Sequence, residues 1–297
     1  MITIPQYDGP LPTCEGPKLN PFHDLKATVK FKRLLSDKDA EGQAHVFEAS
    51  IRSSTFAIKI VRAYPPSVVK YQNIAEAQLM PQFKFYDIEE DRAGLLDREN
   101  DLVSDDLLHE HSDPFYNECR AYGRLEEKKL NGKVAVYCHG YIPISAEKEE
   151  QLEREFDVGD WGRPGDEYDK PVSKRQPFRA IVKDVVLKDV PLTAKIADKM
   201  LTDLKRMRRN GIYPGDIALR NYKAGLLVDF GTARTEPFYL FNLRPGRQTQ
   251  IMKNTDLYMW EHMRKENELD TRKRAVRDEE YCANLRPRKK ETRRSKK

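Results

Sequence analysis

The chain has 297 residues, of which 39% are apolar and 34% are charged, and its mean hydropathy is −0.77. This composition allows one two-lobed domain or two small ones, with a modest core and long polar insertions. It excludes a membrane-spanning helix, because no run of about 18 apolar residues occurs, and the first five residues lack the features of a secretory signal.

The chain begins with a loop-rich segment and then changes to a strand pattern. Residues 1–27 are rich in Pro and Gly, which predicts a segment that lies along the surface or stays loose. His45–Ile51 and Thr55–Val61 are apolar runs separated by a short turn, and they predict a β-hairpin with one apolar face. Residues 62–112 predict a polar, acidic insertion, in which Val68–Met80 has the pattern of a helix.

A clearer helix signal follows this insertion. Asp113 is suited to cap the helix and Pro114 to occupy its first position. Spacings of 3, 4 and 3 put four residues on one helical face, and these are Phe115, Glu118, Tyr122 and Leu125. Because a carboxylate within an apolar stripe needs a partner, Glu118 is expected to contact a cation.

Two more strands are predicted around a second insertion. Asn131-Gly132 is a tight-turn signal, and Lys133–Ile142 after it has the pattern of a strand. Residues 145–176 are dense in Glu, Asp, Gly and Pro and predict a polar insertion. Phe178–Val186 then predicts another strand.

The next segment predicts a long helix. Thr193 is a suitable cap, apolar residues recur at helical spacing, and Gly211 ends the pattern. The basic residues near its end predict a solvated helix terminus, and they are Arg206, Arg208 and Arg209. Gly225–Val228 predicts a short strand after the helix.

These elements predict an α+β fold with a small antiparallel β lobe and a reduced helical lobe. The domain is expected to cover residues 28–270, with insertions at 62–112 and 145–176 and a basic disordered tail at 271–297.

Four cysteines and two close histidines offer little evidence for a metal or disulfide site. Cys14, Cys119, Cys138 and Cys282 form no Cys-x-x-Cys pair, which predicts free thiols in a reducing compartment. His109 and His111 stand in an acidic stretch that is typical of a solvated loop rather than of a metal site.

Two short motifs contain residues suited to phosphate chemistry. Asp216 and Asn221 are five positions apart, and in an extended loop this spacing lets both side chains face one pocket. Asp229-Phe230-Gly231 follows the short strand, so its carboxylate is a natural ligand for Mg²⁺ at a mobile point of the backbone. Phosphoryl transfer needs such oxygens, a cation for the phosphates and a carboxylate that orients the acceptor hydroxyl.

Lys59 is the candidate cation, because it stands among apolar residues of a predicted strand. An unpaired buried charge is costly, so Lys59 must find a carboxylate or a phosphate. Glu118 is the predicted partner, and Glu76 in the first insertion is the alternative. The competing interpretations are an exposed edge-strand lysine and a surface salt bridge of Glu118 with a neighbouring arginine.

In this order, the Ala-x-Lys strand, the helix glutamate, the Asp-x-x-x-x-Asn loop and Asp-Phe-Gly resemble the protein-kinase superfamily. The resemblance covers roughly residues 30–235. It implies a kinase-like two-lobed fold, with ATP and Mg²⁺ as cofactors.

The resemblance also implies roles for individual residues. Lys59 would grip the α- and β-phosphates, with Glu118 as its ion-pair partner. Asp216 would be the catalytic base, and Asn221 and Asp229 would be the metal ligands. The residues around the nucleotide would further include Val46, Ala57, Asp184 and Val186.

Three blocks are similar to a fungal group of kinase-like proteins named after a subunit of the kinetochore Sim4 complex. They are Asp113–Leu125, Val136–Tyr141 and Gly215–Tyr222. This resemblance implies a protein complex as partner, with a place at the kinetochore.

The chain departs from the kinase pattern in its loop motifs. Gly42 is the only glycine between Leu35 and Val46, where kinases usually have three that close over the phosphates. Pro214 and Gly215 stand where most kinases have His and Arg. No Ala-Pro-Glu follows the Asp-Phe-Gly motif, and Asp256–Met263 is predicted to be the remaining core helix of the large lobe.

Two functions therefore remain open. The complete set of charged residues predicts an ATP- and Mg²⁺-dependent phosphotransferase that acts on a protein hydroxyl. The altered loop and the reduced large lobe favour instead a catalytically weak or inactive kinase-like interaction module, within a kinetochore or centromere complex.

Basic residues are concentrated at the end of the chain. Residues 271–297 have twelve Lys and Arg against four Asp and Glu, a net charge of +8, so the rest of this +5 chain has a net charge of −3. Such a tail is typical of a solvated arm, a nuclear-import signal or a non-specific nucleic-acid contact. The last two of these alternatives favour a nuclear over a cytoplasmic location, and no membrane partner is expected.

Overall fold

The computed structural model describes residues 16–25, 28–37, 44–61, 102–158, 161, 169–175, 177–187, 190–244 and 246–276. The predicted helix Val68–Met80 with Glu76, the glycine Gly42 and residues 277–297 of the basic tail lie outside these ranges. Within the described residues, the predicted α+β class with a small antiparallel lobe and a mainly helical lobe is confirmed.

The main sheet has five strands, which are Val29–Leu34 (β1), Ala44–Ile51 (β2), Ser54–Val61 (β3), Cys138–Ile144 (β4) and Phe178–Asp184 (β5). Their order is β1-β2-β3-β5-β4, and every neighbouring pair is antiparallel. Four two-residue strands follow, Ile212–Tyr213 (β6), Tyr222–Lys223 (β7), Leu226–Leu227 (β8) and Arg234–Thr235 (β9). The helices are Asp105–Ser112 (α1), Pro114–Glu127 (α2), Glu147–Phe156 (α3), Ala194–Arg209 (α4), Tyr239–Leu243 (α5) and Gly246–Glu266 (α6). Short 3₁₀ turns occupy Val172–Lys174 and Leu219–Asn221.

The sheet separates two cores because the side chains of its strands alternate between two faces. On the outer face, Phe47, Ile58 and Val182 pack in one apolar cluster. On the inner face, Ile181 packs with helix α2 in the core that continues into the large lobe. The predicted hairpin is strands β2 and β3, paired directly through Ile51 and Ser54.

The second predicted insertion contributes to the outer core, so it is more than a polar loop. Helix α3 lies within residues 145–176 and buries Leu152 completely. Val158 and Trp161 are also buried, and the Trp161 ring lies 4.8 Å from that of Phe178. The sequence pattern missed this helix because it has one deeply buried apolar residue among many charged ones.

Helix α2 starts as predicted, with an Asp113 carboxylate oxygen accepting the N–H of Phe115 at 2.8 Å. Nearly all of its residues are buried, because neighbours surround it on several sides. Helix α1, in the predicted first insertion, precedes it directly, and its His111 is 7% exposed. The prediction of a solvated loop is therefore wrong for His111.

The described part of the N-terminal segment lies along helix α2 and strand β4. The N–H of Phe22 donates to the Tyr141 carbonyl at 2.8 Å, and the N–H of Tyr141 donates to the Asn20 carbonyl at 3.3 Å. At Gly123, in the middle of helix α2, an added Cβ would lie 2.3 Å from the carbonyl carbon of Lys18. The close approach of residues 16–25 therefore requires glycine at this position.

Two strand predictions need new boundaries. Strand β4 begins at Cys138 rather than at Lys133, because both polar atoms of the Asn131 side chain bond the Cys138 backbone, at 2.8 and 2.9 Å. Val136 does not join the main sheet, since its N–H donates instead to the carbonyl of Leu227 in strand β8, at 2.9 Å. Strand β5 ends at Asp184 rather than at Val186.

The large lobe is built around helices α4 and α6. Thr193 caps α4 by accepting the N–H of Ile196 at 3.3 Å, and Gly211 has a positive φ of 74° at its end, as the sequence indicates. The predicted core helix is part of the longer α6, whose Trp260 is fully buried. The prediction of a solvated terminus is wrong for Arg208, which forms an ion pair with the buried Asp256.

Among the described helices, none combines the length and the apolar content that a bilayer span requires.

Candidate active site

A cleft of about 830 Å³ separates the inner face of the sheet from the loops of the large lobe. Its size is typical of a small-molecule site. Eight of the nine predicted site residues line it, and these are Val46, Ala57, Lys59, Asp184, Val186, Asp216, Asn221 and Asp229. The ninth, Glu118, lies behind Lys59 and is completely buried.

Lys59 is held between two carboxylates at the inner end of the cleft. Its Nζ lies 2.8 Å from Glu118 Oε2 and 2.7 Å from Asp229 Oδ1, and its side chain is 6% exposed. Strand β3 is flanked by β2 and β5, so Lys59 is not an edge-strand lysine. Burial lowers the pKa of Lys59, but Asp229 and Glu118 outweigh burial and hold the pKa above its usual value.

Asp229 is positioned by the turn that follows strand β8. Its Oδ1 accepts the Gly231 N–H at 2.7 Å, and the Gly231 carbonyl accepts the amide of Asn117 at 3.1 Å. Phe230 is fully buried, with its ring centroid 5.1 Å from that of Tyr122 on helix α2. Burial raises the pKa of Asp229, but Lys59 and then Lys183 outweigh it and hold the pKa well below the usual range.

Asp216 and Asn221 meet in the loop before strand β7, as their spacing predicts. The Asn221 amide nitrogen donates to the Asp216 carboxylate at 2.9 Å and to its carbonyl at 3.2 Å. Arg220 contacts the same carboxylate oxygen at 2.7 Å. Gly215 has a positive φ of 84°, and an added Cβ there would lie 2.7 Å from the Thr232 carbonyl oxygen. The loop therefore packs tightly against the residues that follow Asp-Phe-Gly.

The oxygen atoms in the cleft are suited to a hard cation whose coordination shell is completed by a bound ligand and water. No cluster of three or more His, Cys, Asp or Glu side chains in the described ranges is placed to hold a metal ion. Mg²⁺ typically takes one or two protein carboxylates and completes its shell with phosphate oxygens and water. Because the amide nitrogen of Asn221 donates its hydrogens to Asp216, the amide oxygen of Asn221 is the atom that could coordinate a cation.

Lys183 is a site residue that the sequence reasoning missed. It lines the cleft near the end of strand β5, and its Nζ contacts Glu118 Oε1 and, at 2.7 Å, the Val228 carbonyl. The signal was available, because Lys183 follows Ala180-Ile181-Val182 in the same kind of apolar context as Lys59. A lysine in such a context needs a carboxylate or another acceptor, by the same argument as for Lys59.

The fold and the cleft together define a protein of the kinase-like class. A lysine of the third strand reaches a helix glutamate and the aspartate of Asp-Phe-Gly, while an aspartate–asparagine pair faces the same cleft. The chain matches the family described as kinetochore Sim4 complex subunit FTA2 over residues 8–234. It therefore belongs to that family.

Comparison with other proteins gives two further findings. No relative was found among the curated proteins. Among solved structures, the chain is similar to vaccinia related kinase 3, with 12% identity and a TM-score of 0.32 over 76% of this chain and 53% of that one. The chain thus spans about half the length of that kinase.

Proposed function

We propose that this chain binds ATP with Mg²⁺ in the cleft and transfers the terminal phosphoryl group to a protein hydroxyl, as a subunit of a kinetochore complex. The observation that carries this proposal is Lys59, held at 2.8 Å from Glu118 and 2.7 Å from Asp229 on the wall of the cleft. Because the side chain of Lys59 is already held in place, little reorganisation is needed when it exchanges a carboxylate for a phosphate.

Different parts of the cleft suit different parts of the nucleotide. Val46 and Ala57, on strands β2 and β3, offer small apolar surfaces for the base. Asp184 donates its N–H to the Tyr137 carbonyl at 2.9 Å, so the backbone of Val186 is the better candidate for hydrogen bonds to the base. Lys59 would then meet the phosphates at the inner end.

Asn221 and Asp229 would hold Mg²⁺, which supplies neutralisation of charge on the phosphate oxygens when it is bound. Lys59 and the Gly231 N–H both contact Oδ1 of Asp229, so Oδ2 is the oxygen that we assign to the metal.

Asp216 would orient the acceptor hydroxyl and take up its proton. Its carboxylate is 30% exposed, lines the cleft and is fixed by Arg220 and Asn221. A positioned carboxylate of this kind is suited to general-base catalysis.

The family description supports the partner and the location. It names a subunit of a kinetochore complex, so we propose protein partners and a nuclear, chromosomal location. Residues 271–297, with their net charge of +8, would serve nuclear import or a non-specific nucleic-acid contact. Any such contact should weaken steeply with salt.

A kinase-like interaction module without catalysis is the second candidate. The family description favours it, because it names a complex subunit rather than an enzyme. One oxygen of Asp216 already accepts from both Arg220 and Asn221, which would weaken it as a base.

The deciding experiment compares the full-length chain with Asp216→Asn and, as a control, with Asp270→Asn, whose side chain is fully exposed. Autophosphorylation and ATP hydrolysis with Mg²⁺ are measured together with the ATP-induced rise in melting temperature. Asp216→Asn should lower transfer about 10²- to 10⁴-fold and keep the rise. Equal activity in wild type and Asp216→Asn would contradict the catalytic proposal. A thermal rise without transfer in wild type would select the interaction module.

A further inference from the structure

Glu118 has two lysine partners, one for each carboxylate oxygen. Oε2 contacts Lys59 at 2.8 Å, and Oε1 contacts Lys183. All three side chains are at most 6% exposed. The ammonium of Lys183 also donates to the Val228 carbonyl at 2.7 Å and lies 5.5 Å from the ring centroid of Tyr122. Lys183 therefore joins strand β5, helix α2 and the residue before Asp229.

The strand register explains why both lysines reach the same carboxylate. Lys59 is paired with Ile181, and Ala57 is paired with Lys183. Residues two apart on a strand share a face, and directly paired residues lie side by side. Strands β3 and β5 thus each present one lysine to the inner face, where helix α2 places Glu118.

We propose that Lys183 is a positioning residue that keeps helix α2 against the sheet independently of Lys59. Lys59 is shared between Glu118 and Asp229, whereas Lys183 serves Glu118 and a fixed backbone carbonyl. Glu118 is therefore held even when Lys59 turns towards an anionic ligand. This positioning role needs no nucleotide.

Lys183 also sets the charge at the inner end of the cleft, a consequence that rests on the proposed function. The two lysines and two carboxylates of Lys59, Lys183, Glu118 and Asp229 sum to zero. When a divalent cation engages Asp229, the other three have a net charge of +1, which attracts phosphate. Without Lys183, only Lys59 and Glu118 would remain, and their charges cancel.

The positioning role is tested by hydrogen–deuterium exchange of the ligand-free, full-length chain. Lys183→Met should speed exchange in helix α2 at least about tenfold, and more than Lys59→Met does, because it leaves Glu118 with only the shared lysine. The double variant Lys183→Met/Glu118→Gln removes one charge of each sign and should recover much of the protection. Exchange in helix α2 that is unchanged in Lys183→Met, or faster in Lys59→Met, would overturn the positioning role.

The charge consequence is tested by the affinity of the same variants for ADP with Mg²⁺. Lys183→Met should bind about tenfold more weakly, and the double variant should regain most of this loss because its inner end again reaches +1. The salt dependence of the affinity separates charge from packing, because the loss in Lys183→Met should shrink as salt is raised if it is electrostatic and should not change if it is structural. A double variant as weak as Lys183→Met would overturn the charge consequence. If wild type binds no ADP, the proposed function and the charge consequence both fail, while the exchange result still decides the positioning role.

Discussion

The ammonium of Lys59 lies 2.7 Å from Asp229, although the two residues are 170 positions apart in the chain. Through this contact and its contact with Glu118, Lys59 joins strand β3 to helix α2 and to the Asp-Phe-Gly turn. The cleft thus contains a cation–carboxylate arrangement in which an anion could replace one carboxylate.

Replacing Lys59 should remove most of the nucleotide-dependent stabilisation. At a ligand concentration of about 100 times Kd, bound ADP with Mg²⁺ would stabilise wild type by about 2.7 kcal/mol, and Lys59→Met should lose most of this gain because it removes the phosphate-binding cation. Melting temperature with and without ligand measures the effect. Lys199→Met is the matched control, since Lys199 is half exposed in a surface pair with Asp203. If ADP with Mg²⁺ stabilises Lys59→Met as much as wild type, Lys59 does not contribute to nucleotide binding.

Gly123 should be intolerant of a side chain although it lies inside a helix. Alanine is normally better than glycine there by about 1 kcal/mol, but at Gly123 its Cβ would meet the backbone of Lys18 at 2.3 Å. Gly123→Ala should therefore destabilise the fold by about 1–3 kcal/mol. Urea unfolding measures this cost. The control Gly246→Ala meets nothing within 4 Å and should be neutral or slightly stabilising. A Gly123→Ala variant at least as stable as wild type would show that residues 16–25 do not pack there.

Local chemistry in the sequence was enough to predict the centre of the site. A lysine in an apolar strand and a glutamate in an apolar helix stripe each need a partner, and Lys59 and Glu118 are in contact. The five-residue spacing of Asp216 and Asn221 placed them in one loop, where they are hydrogen-bonded. These rules work because an unpaired charge in a buried segment is costly wherever the partner lies.

Features that depend on distant packing could not be read in the same way. Three arginines near the end of helix α4 look alike in the sequence, and only the position of helix α6 selects Arg208 for burial. Leu152, Val158 and Trp161 have no regular spacing within their polar segment, so nothing local marks them as core residues. In both examples, the surface against which the segment packs determines which of its residues are buried.

Stability should fall at acidic pH because of His111. Its ring is 7% exposed and packs on Phe238 and Tyr239. Burial, and then the charge of Arg120, lower the pKa of His111 from 6.5 to about 3. As the pH falls, the unfolded chain therefore protonates His111 before the folded chain does. The contribution of His111 to the stability of the fold is complete above pH 6.5 and is lost as the pH falls towards about 3. The loss is at most about 1.4 kcal/mol per pH unit.

His111→Gln should flatten this part of the pH profile, measured as the free energy of unfolding in urea between about pH 4.5 and 8. The difference between variant and wild type is the useful quantity, because Asp256 contributes with the opposite sign. Burial raises the pKa of Asp256 to about 6 despite Arg208, so its charged form costs stability as the pH rises. His262→Gln, which replaces a half-exposed histidine, is the matched control. Parallel profiles for His111→Gln and wild type would contradict the prediction.

Removing Arg208 should be strongly destabilising, although it is one of several arginines at the end of its helix. Its guanidinium contacts the Asp256 carboxylate and the Lys253 carbonyl, and it donates to Asn254 at 2.8 Å. Asp256 is 1% exposed, so Arg208→Ala leaves a buried carboxylate without its ion-pair partner, at a cost of about 3–5 kcal/mol.

The control Arg206→Ala changes an exposed neighbour and should stay within about 0.5 kcal/mol of wild type. The double variant Arg208→Met/Asp256→Leu removes both charges and should recover much of the loss, because apolar groups of similar volume can replace a buried ion pair. Adding the single variants Arg208→Met and Asp256→Leu completes a double-mutant cycle with wild type and the double variant. Urea unfolding of these four proteins should give a coupling energy of at least about 1 kcal/mol. Equal effects of Arg208→Ala and Arg206→Ala would restore the simple interpretation of a solvated helix terminus.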